Sequence, residues 1–597
     1  MSLKAHGQIR RSQVITTYGP GALIDLPHYS AIVGGIDDWL KAGAEEILEP
    51  RLSRKLQIMT GVASPRLYTP PGDTNDPHAP PNGINAWRFP EWFVVQEVDG
   101  KEDRERSRRM VHRKALDDRG RFDGQTVVPT RFVRACPKGH VDDIDWRRFA
   151  HGGDEAGCHR QLWLDERGTG GDLSDLVVRC ECGKSRGLYE ASLIENNPLE
   201  NCRGLLLWLG KDFKDPCTLP SRLLIRTASN AYFPHVVSVL SLPDRGTVVE
   251  SAVRDLWSLL QVVDSSASLT VLRKLPNVTV ILAPFSDDDV LKAISEIRGG
   301  REGERPVKQV ELEALLAVPE GYGDDIPVDH NFHGRRLPEQ VWRHTERCAG
   351  IQAVIQLHRL REILALIGFT RFEAFTPDIN GEYETDVERA QIACDPQWFP
   401  AVENRGEGIF VQIRADALGA WQARPAVVER IEQLEFGHKL WSEDRKTKRP
   451  FPGGPYVLLH TLSHLLIQSL SMRCGYPASS IRERIYADAD TERFGILLFT
   501  GSPDAEGTLG GLVQEARHIE DHLLRALQMG ALCSNDPICS GHNAGRSMEK
   551  RWLQGAACHG CALVAETSCE MRNDYLDRAL VVPVLGVPTA AFFAANL

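Results

Sequence analysis

Residues 454–475 read GPYVLLHTLSHLLIQSLSMRCG. Apolar side chains crowd almost every face of this stretch, which predicts a long helix, amphipathic to nearly buried. Such a helix needs apolar neighbours, and the flanking sequence supplies them. RFGILLFTG (493–501) predicts a buried strand, and LGGLVQEARHIEDHLLRALQMG (509–530) a glycine-rich turn into a helix. Upstream, GEGIFVQI (406–413) predicts a strand. Mixed helix and strand gives the second half an α/β character.

Further upstream, VIQLHRLREILALIG (354–368) repeats apolar residues at helical spacing and stops at glycine, so a helix is expected. DDDVLKAISEIRG (287–299) and PVKQVELEALLAVPEG (306–321) predict two more helices. LLIRTASNAYFPHVVSVLSLP (223–243) predicts a strand, a polar turn and another apolar segment. VITTYGPGALIDLPHYSAIVGG (14–35) predicts two extended stretches around a turn at Gly19–Pro20–Gly21. That turn lacks the lysine a phosphate loop requires. Residues 68–92 are rich in Pro, Gly and Asn and predict a long irregular loop, ending near Trp87, Phe89, Trp92 and Phe93.

A chain of 597 residues exceeds one hydrophobic core, so two to four domains are expected. The expected division is a mixed N-terminal region (1–130), a zinc-knuckle module (131–200), a central α/β region (201–449) and an α/β C-terminal region with its own cysteine-ligated zinc (450–597). The net charge of −11 argues against a purely electrostatic nucleic-acid binder, but suits a subunit docked on a basic partner. No run of 18 apolar residues suggests a transmembrane helix, and the first residues lack the apolar run of a signal peptide. A cytoplasmic protein without membrane contact is expected.

Fourteen cysteines are unevenly spread. In a reducing compartment, clustered cysteines point to metal rather than disulfides. Near the C-terminus stand Cys533, Cys539, Cys558, Cys561 and Cys569. Two residues between Cys558 and Cys561 let both thiolates face one ion, and tetrahedral zinc takes four such ligands. The expected set is Cys539, Cys558, Cys561 and Cys569, with Cys533 as the alternative. An all-cysteine set argues for a structural ion. A second cluster, Cys136, Cys158, Cys180 and Cys182, makes another four-thiolate site, in which His140 is an alternative ligand. CPKGH and CECG both have the form of knuckles. Two structural Zn2+ ions are therefore expected. Cys202, Cys217, Cys348, Cys394 and Cys474 stand alone and read as core residues.

RERSRRMVHRK (104–114) is the densest basic run in this acidic chain. Arg104, Arg106, Arg108, Arg109, Arg113 and Lys114 are candidate phosphate contacts. His460 and His464 lie four apart on one helical face, but Thr461 stands where the HExxH zinc proteases carry their glutamate. Gly501, Gly507, Gly510 and Gly511 follow a strand without the lysine of a P-loop, so close packing competes with phosphate binding there.

Seven segments together resemble one family: RRSQVITTYGPGALIDL, RTASNAYFPHVVSVLSLP, LREILALIGFTRF, GEGIFVQ, LLHTLSHLLI, CSNDPICSGH and AACHGCALVAETSCEMRNDYLDRAL. They are similar to the DrmB proteins, DUF1998-containing subunits of the bacterial anti-phage system DISARM. The resemblance spans nearly the whole chain, with the DUF1998-like part beginning near Pro450. It implies a four-cysteine metal motif within Cys533–Cys569, and a helicase-like partner, DrmA, of superfamily 2. That partner would supply the ATPase and, with this chain, engage foreign DNA that is single-stranded or has a single-stranded end. The resemblance implies no catalytic residue. The expected function is thus a non-catalytic, zinc-containing antiviral subunit in a heterodimer. Two alternatives stand beside it: a nucleic-acid-processing enzyme using the His460/His464 helix and the Gly501–Gly511 turn, and a protein scaffold without DNA contact.

Overall fold

The computed structural model of the chain describes all residues except 1–8, 27–28, 42, 73–82, 97–105, 154–156, 169–170, 243–248, 250–251, 254–255, 284, 299–305, 324–325, 327–330, 375–376, 383–387, 502–510, 547–549 and 594–597. The backbone divides into two units. The first is Met1–Ser238 with Ile363–Phe375 and Thr385–Glu403; the second is Val239–Glu362 with Thr376–Glu384 and Asn404–Leu597. The architecture is mixed α/β, with several sheets and helices. Among the described residues no helix is long and apolar enough to cross a membrane.

The first unit is built on a six-stranded antiparallel sheet. Its strands run in the order Ser185–Gly187, Leu176–Cys180, Leu162–Glu166, Arg106–His112, Trp92–Val95, Val127–Pro129. The basic run is therefore an interior strand. Successive side chains on a strand point to opposite faces, so Met110 joins a core with Val94, Leu162, Leu164 and Val178, while Val111 joins Phe93, Val95 and Val127. A smaller sheet pairs Leu23–Asp25 with Ser30–Val33 and then Ala86–Arg88. Just before it, Arg11–Thr16 forms a short helix where an extended stretch was expected, with the Gln13 carboxamide accepting from the Arg10 backbone N–H. β-Branched Val14 and Ile15 are buried within it, so tertiary packing outweighs their strand preference.

In the second unit, Gly454–Cys474 is the long helix expected, and its residues from Tyr456 to Ile467 are all buried. It packs in one core with the strands Ile481–Asp488 and Arg493–Thr500, the helix Ile519–Ala531 and the turn of helix Arg578–Val581. The strand 493–500 pairs on one edge with 481–488 and on the other with Gly408–Ile413. Pro455 opens the helix and Gly475, at φ +73°, closes it. Residues 354–368 are a correction: they belong to a 20-residue strand, Ile351–Thr370, not a helix. Gln352 and Arg359 alone in that strand are not buried. A strand covered on both faces carries no alternation, and its continuous apolar run mimics a buried helix.

Candidate metal centres

Three groups of cysteine and histidine side chains each bring four donor atoms within 4.8 Å of one another. In the first, Cys136 and His140 come from one turn and Cys202 and Cys217 from a distant segment. The Cys136 N–H donates to the His140 carbonyl at 3.1 Å, and Gly139 N–H to the Cys136 carbonyl at 3.0 Å, which makes the tight knuckle. Gly139 sits at φ +93°, where an added Cβ would also meet Ala390 and Phe369. His140 Nδ1 lies 3.3 Å from Cys136 Sγ, and its Nε2 faces Asp215 Oδ2 at 3.4 Å. A carboxylate on the far nitrogen fixes the ring with Nδ1 free to act as a ligand.

The second group is His151, Cys158, Cys180 and Cys182. Cys180 and Cys182 lie in one knuckle, closed by the Gly183 N–H on the Cys180 carbonyl at 2.9 Å with Gly183 at φ +96°. Cys158 and Cys180 sulfurs are 3.6 Å apart, and His151 Nε2 is 3.2 Å from Cys182 Sγ. His151 Nδ1 faces the Arg147 carbonyl at 2.7 Å, leaving Nε2 as the donor to an ion. Burial pushes Cys180 up to about 11, while the Lys184 backbone N–H helps pull Cys182 down to about 6. The expected four-thiolate set is thus divided: Cys136 stands with His140, Cys202 and Cys217, while Cys158, Cys180 and Cys182 stand with His151.

The third group is Cys533, Cys539, Cys558 and Cys561. Its sulfurs are 3.5–3.7 Å apart across Cys533–Cys558, Cys539–Cys561 and Cys558–Cys561. A tetrahedron with zinc–sulfur bonds of about 2.3 Å has edges of about 3.75 Å, so the spacing fits that ion. The Asn535 N–H donates to Cys533 Sγ, the Asn535 side-chain amide to Cys558 Sγ, and the Cys558 N–H to Cys561 Sγ. Burial opposes the Cys558 thiolate, but Asn535 and the Gly560 N–H outweigh it and bring the thiol to about 7. The knuckle is anchored from behind by Asp577, whose carboxylate accepts from the Ala556 N–H at 3.0 Å and from Arg430 Nε at 2.6 Å. Cys533 therefore stands with this group and Cys569 does not. Cys569 lies instead beside His460 Nε2, at 3.1 Å.

The two groups of the first unit were only half legible. Cys202 and Cys217 read as core residues because they lack a nearby partner in sequence; Cys217 is 81 residues from Cys136. His151 carried no spacing signal. None of the fourteen cysteines is in a disulfide.

Buried arginines accompany two of the groups. Arg371 donates through Nε to the Gly139 carbonyl at 2.8 Å, through one terminal nitrogen to Gly21 at 2.6 Å, and through the other to Ala231. Arg578 donates to the Gly530 carbonyl at 3.0 Å and pairs with Asp536. Three thiolates and a neutral histidine exceed a divalent ion by one negative charge, and four thiolates by two. A buried cation nearby offsets the excess.

The candidate phosphate contacts are differently placed. Arg108 pairs with Glu166 at 2.8 Å, and Arg109 with Asp123 at 3.4 Å and Gln125 at 2.8 Å. Arg106, Arg113 and Lys114 are exposed, and Arg104 lies outside the described residues. Phe93 is buried, Trp92 is half-buried edge-on to His112, and Trp87 is exposed. His460 and His464 are completely buried, so no polynucleotide touches them in this conformation. Gly501 packs on Asn404 and Gly511 on Tyr476; Gly507 and Gly510 lie outside the described residues.

Comparison with known proteins fits this geometry. Residues 462–562 match the MrfA Zn-binding domain, a span that contains all four cysteines of the third group. Residues 10–233 match a domain of unknown function, DUF8724. Over 486 residues the chain is 31% identical to the DISARM protein DrmB of Bacillus paralicheniformis (strain ATCC 9945a / NCIMB 11709 / CD-2), covering 79% of this chain and 83% of that protein. The chain belongs to the DrmB family of DISARM proteins.

Proposed function

We propose that this chain is a non-catalytic, zinc-braced subunit that docks on a helicase-like DISARM partner in the cytoplasm and helps it hold foreign DNA. The observation that carries the reading is the set of three cysteine-rich groups, each joining segments of chain through donors at zinc spacing, in a member of the DrmB family. Closed sets of thiolate and imidazole ligands, with no carboxylate or open position, suit structural ions that couple to folding. Bound zinc would supply cross-linking there and no chemistry. Cys136, His140, Cys202 and Cys217 would hold one ion, His151, Cys158, Cys180 and Cys182 a second, and Cys533, Cys539, Cys558 and Cys561 a third.

The DNA part of the reading rests on Arg106 in the strand and on Arg113 and Lys114 in the turn that follows it, the exposed members of the basic run among the described residues. Three cations are few, so the partner completes the binding channel. Sequence-independent contact with phosphates releases counterions and weakens as salt rises. The test is a titration of labelled single-stranded and duplex DNA, at several salt concentrations, against the complex with the helicase-like subunit. Replacing Arg106, Arg113 and Lys114 together by Glu is expected to lower affinity and flatten the salt dependence while assembly persists. Unchanged affinity and slope would remove this face from the DNA path. Loss of assembly would make it a protein interface, as the scaffold reading requires.

A further inference from the structure

A fourth convergence of donors lies in the second unit, and the three cysteine-rich groups do not explain it. His460 and His464 project from one face of the helix Gly454–Cys474, Glu483 from the strand Ile481–Asp488, and Cys569 from the C-terminal segment. All four side chains are buried. We propose that these four residues hold one further Zn2+ ion, in a closed site of two imidazoles, one carboxylate and one thiolate.

The distances support an ion at the centre. Glu483 Oε1 is 2.9 Å from His460 Nε2 and 3.3 Å from His464 Nε2, and His460 Nε2 is 3.1 Å from Cys569 Sγ. All four donor atoms lie within 4.8 Å of one another. A tetrahedral ion with bonds of about 2.0–2.3 Å needs donor separations of about 3.3–3.8 Å, which a few tenths of an ångström of expansion provides.

Three of the four ligands are also turned to offer a lone pair. His464 Nδ1 faces the Ala562 carbonyl at 2.8 Å, so that nitrogen carries the hydrogen. The Nε2 of a neutral ring then presents a lone pair to a carboxylate oxygen, and two acceptors so close need a cation between them. Cys569 Sγ accepts the N–H of Asn573 at 3.1 Å and of Met571 at 3.4 Å, the surroundings of a thiolate. Glu483 Oε1 accepts the Glu570 N–H at 3.2 Å, and its other oxygen accepts the Ser463 hydroxyl. A thiolate and a carboxylate together match the charge of a divalent ion, so the filled site is neutral and its burial carries little electrostatic penalty. Mixed imidazole and thiolate donors favour zinc over magnesium or calcium. The competing arrangement is a metal-free cluster in which an imidazolium pairs with Glu483. A nucleophilic cysteine is a poorer fit, because a substrate has no access to fully buried side chains.

The site lies beside the third group without sharing a ligand with it. Ala562, which orients His464, directly follows Cys561, and Gln468 of the same helix donates to the Cys561 carbonyl at 3.1 Å. Two ions would thus brace the helix and the C-terminal segment from adjoining positions.

The deciding experiment is a crystal of the full-length wild-type chain, measured on both sides of the zinc absorption edge. A zinc-specific anomalous peak among His460, His464, Glu483 and Cys569 is expected. A peak in the Cys533 group with none among these four residues overturns the proposal. In solution, Cys569→Ser and His464→Asn are each expected to lower the zinc content by one ion per chain while the Cys533 group stays filled. Either variant folded with the full wild-type zinc content also overturns it. Should both variants fail to fold, the wild-type anomalous map still decides.

Discussion

Arg371 is fully buried, and its guanidinium ties together turns that are far apart in sequence. It donates to the carbonyls of Gly21, Gly139 and Ala231 and lies 5.2 Å from the Phe369 ring centroid. Gly21 sits at φ +82°, with Phe369 where a Cβ would stand. Phe369 itself stacks on Tyr232 and meets Trp208 edge-on. Burial lowers the Arg371 pKa to about 10, opposed by the neighbouring Tyr232 and Cys136, so the group remains charged at neutral pH. Replacing it with methionine keeps volume but leaves three buried carbonyls without a donor, at about 1–3 kcal/mol each. Relief from desolvating a charge offsets several kcal/mol of this total of about 3–9 kcal/mol, so the net loss is at most about 5 kcal/mol. Because Gly139 adjoins His140, the loss is expected to reach the metal group as well. Arg371→Met should shift denaturant unfolding of the full chain to lower concentration and speed zinc release to a chromogenic chelator. Arg371→Lys, which keeps the charge but not the three-way fork, should fall between the two. A methionine variant with wild-type unfolding and wild-type zinc release would refute the reasoning.

Cys202→Ser is expected to lower the zinc content by one ion per chain and to reduce soluble yield, although sequence spacing marks Cys202 as isolated; elemental analysis of the purified chain checks this, and an unchanged zinc content would exclude Cys202 as a ligand. Asp143 is half-buried and accepts the Glu91 N–H at 2.9 Å; desolvation of its carboxylate, reinforced by Asp142 and Glu91, raises its pKa to about 7. Its folded value lies above its unfolded value, so its contribution to stability is greatest below about pH 4 and is lost as pH rises towards 7. Asp143→Asn removes that dependence, and its stability relative to wild type should increase between pH 5 and pH 8 in paired denaturant titrations.

The sequence made some elements legible and hid others for definable reasons. The helix 454–474 and the strand 493–500 are legible because length and apolar density leave one reading each. The strand 351–370 is not, because burial on both faces erases the period-two signal. The cysteine-rich groups announce metal through composition, and a local pair such as Cys558 and Cys561 announces its shared ion through spacing. Membership of a group is a tertiary property: Cys136 meets Cys217 across 81 residues of chain. His460 and His464 signal a shared face, but nothing in the sequence joins them to Glu483 or Cys569. The basic run hides its ion pairs for a similar reason, since Glu166, the partner of Arg108, lies 58 residues away.

That inward use of arginine bears on the proposed contact with DNA. Arg108, Arg134 and Arg179 pair with Glu166, Asp142 and Asp165. Arg371 and Arg578 sit beside metal-fit groups, and Arg430 and Arg484 pair with buried Asp577 and Glu311. Each of these cations is engaged before a phosphate arrives, in a chain whose net charge is already −11. The slope of affinity against salt counts the phosphates neutralised, at about 0.9 per contact on duplex DNA. Arg106, Arg113 and Lys114 alone would therefore give the isolated chain a slope of less than about 3, opposed by its acidic bulk. A markedly steeper slope in the complex would assign the additional contacts to the partner or to the joint surface. A slope for the isolated chain as steep as that of the complex would mean that this chain supplies the channel itself, through cations other than these three.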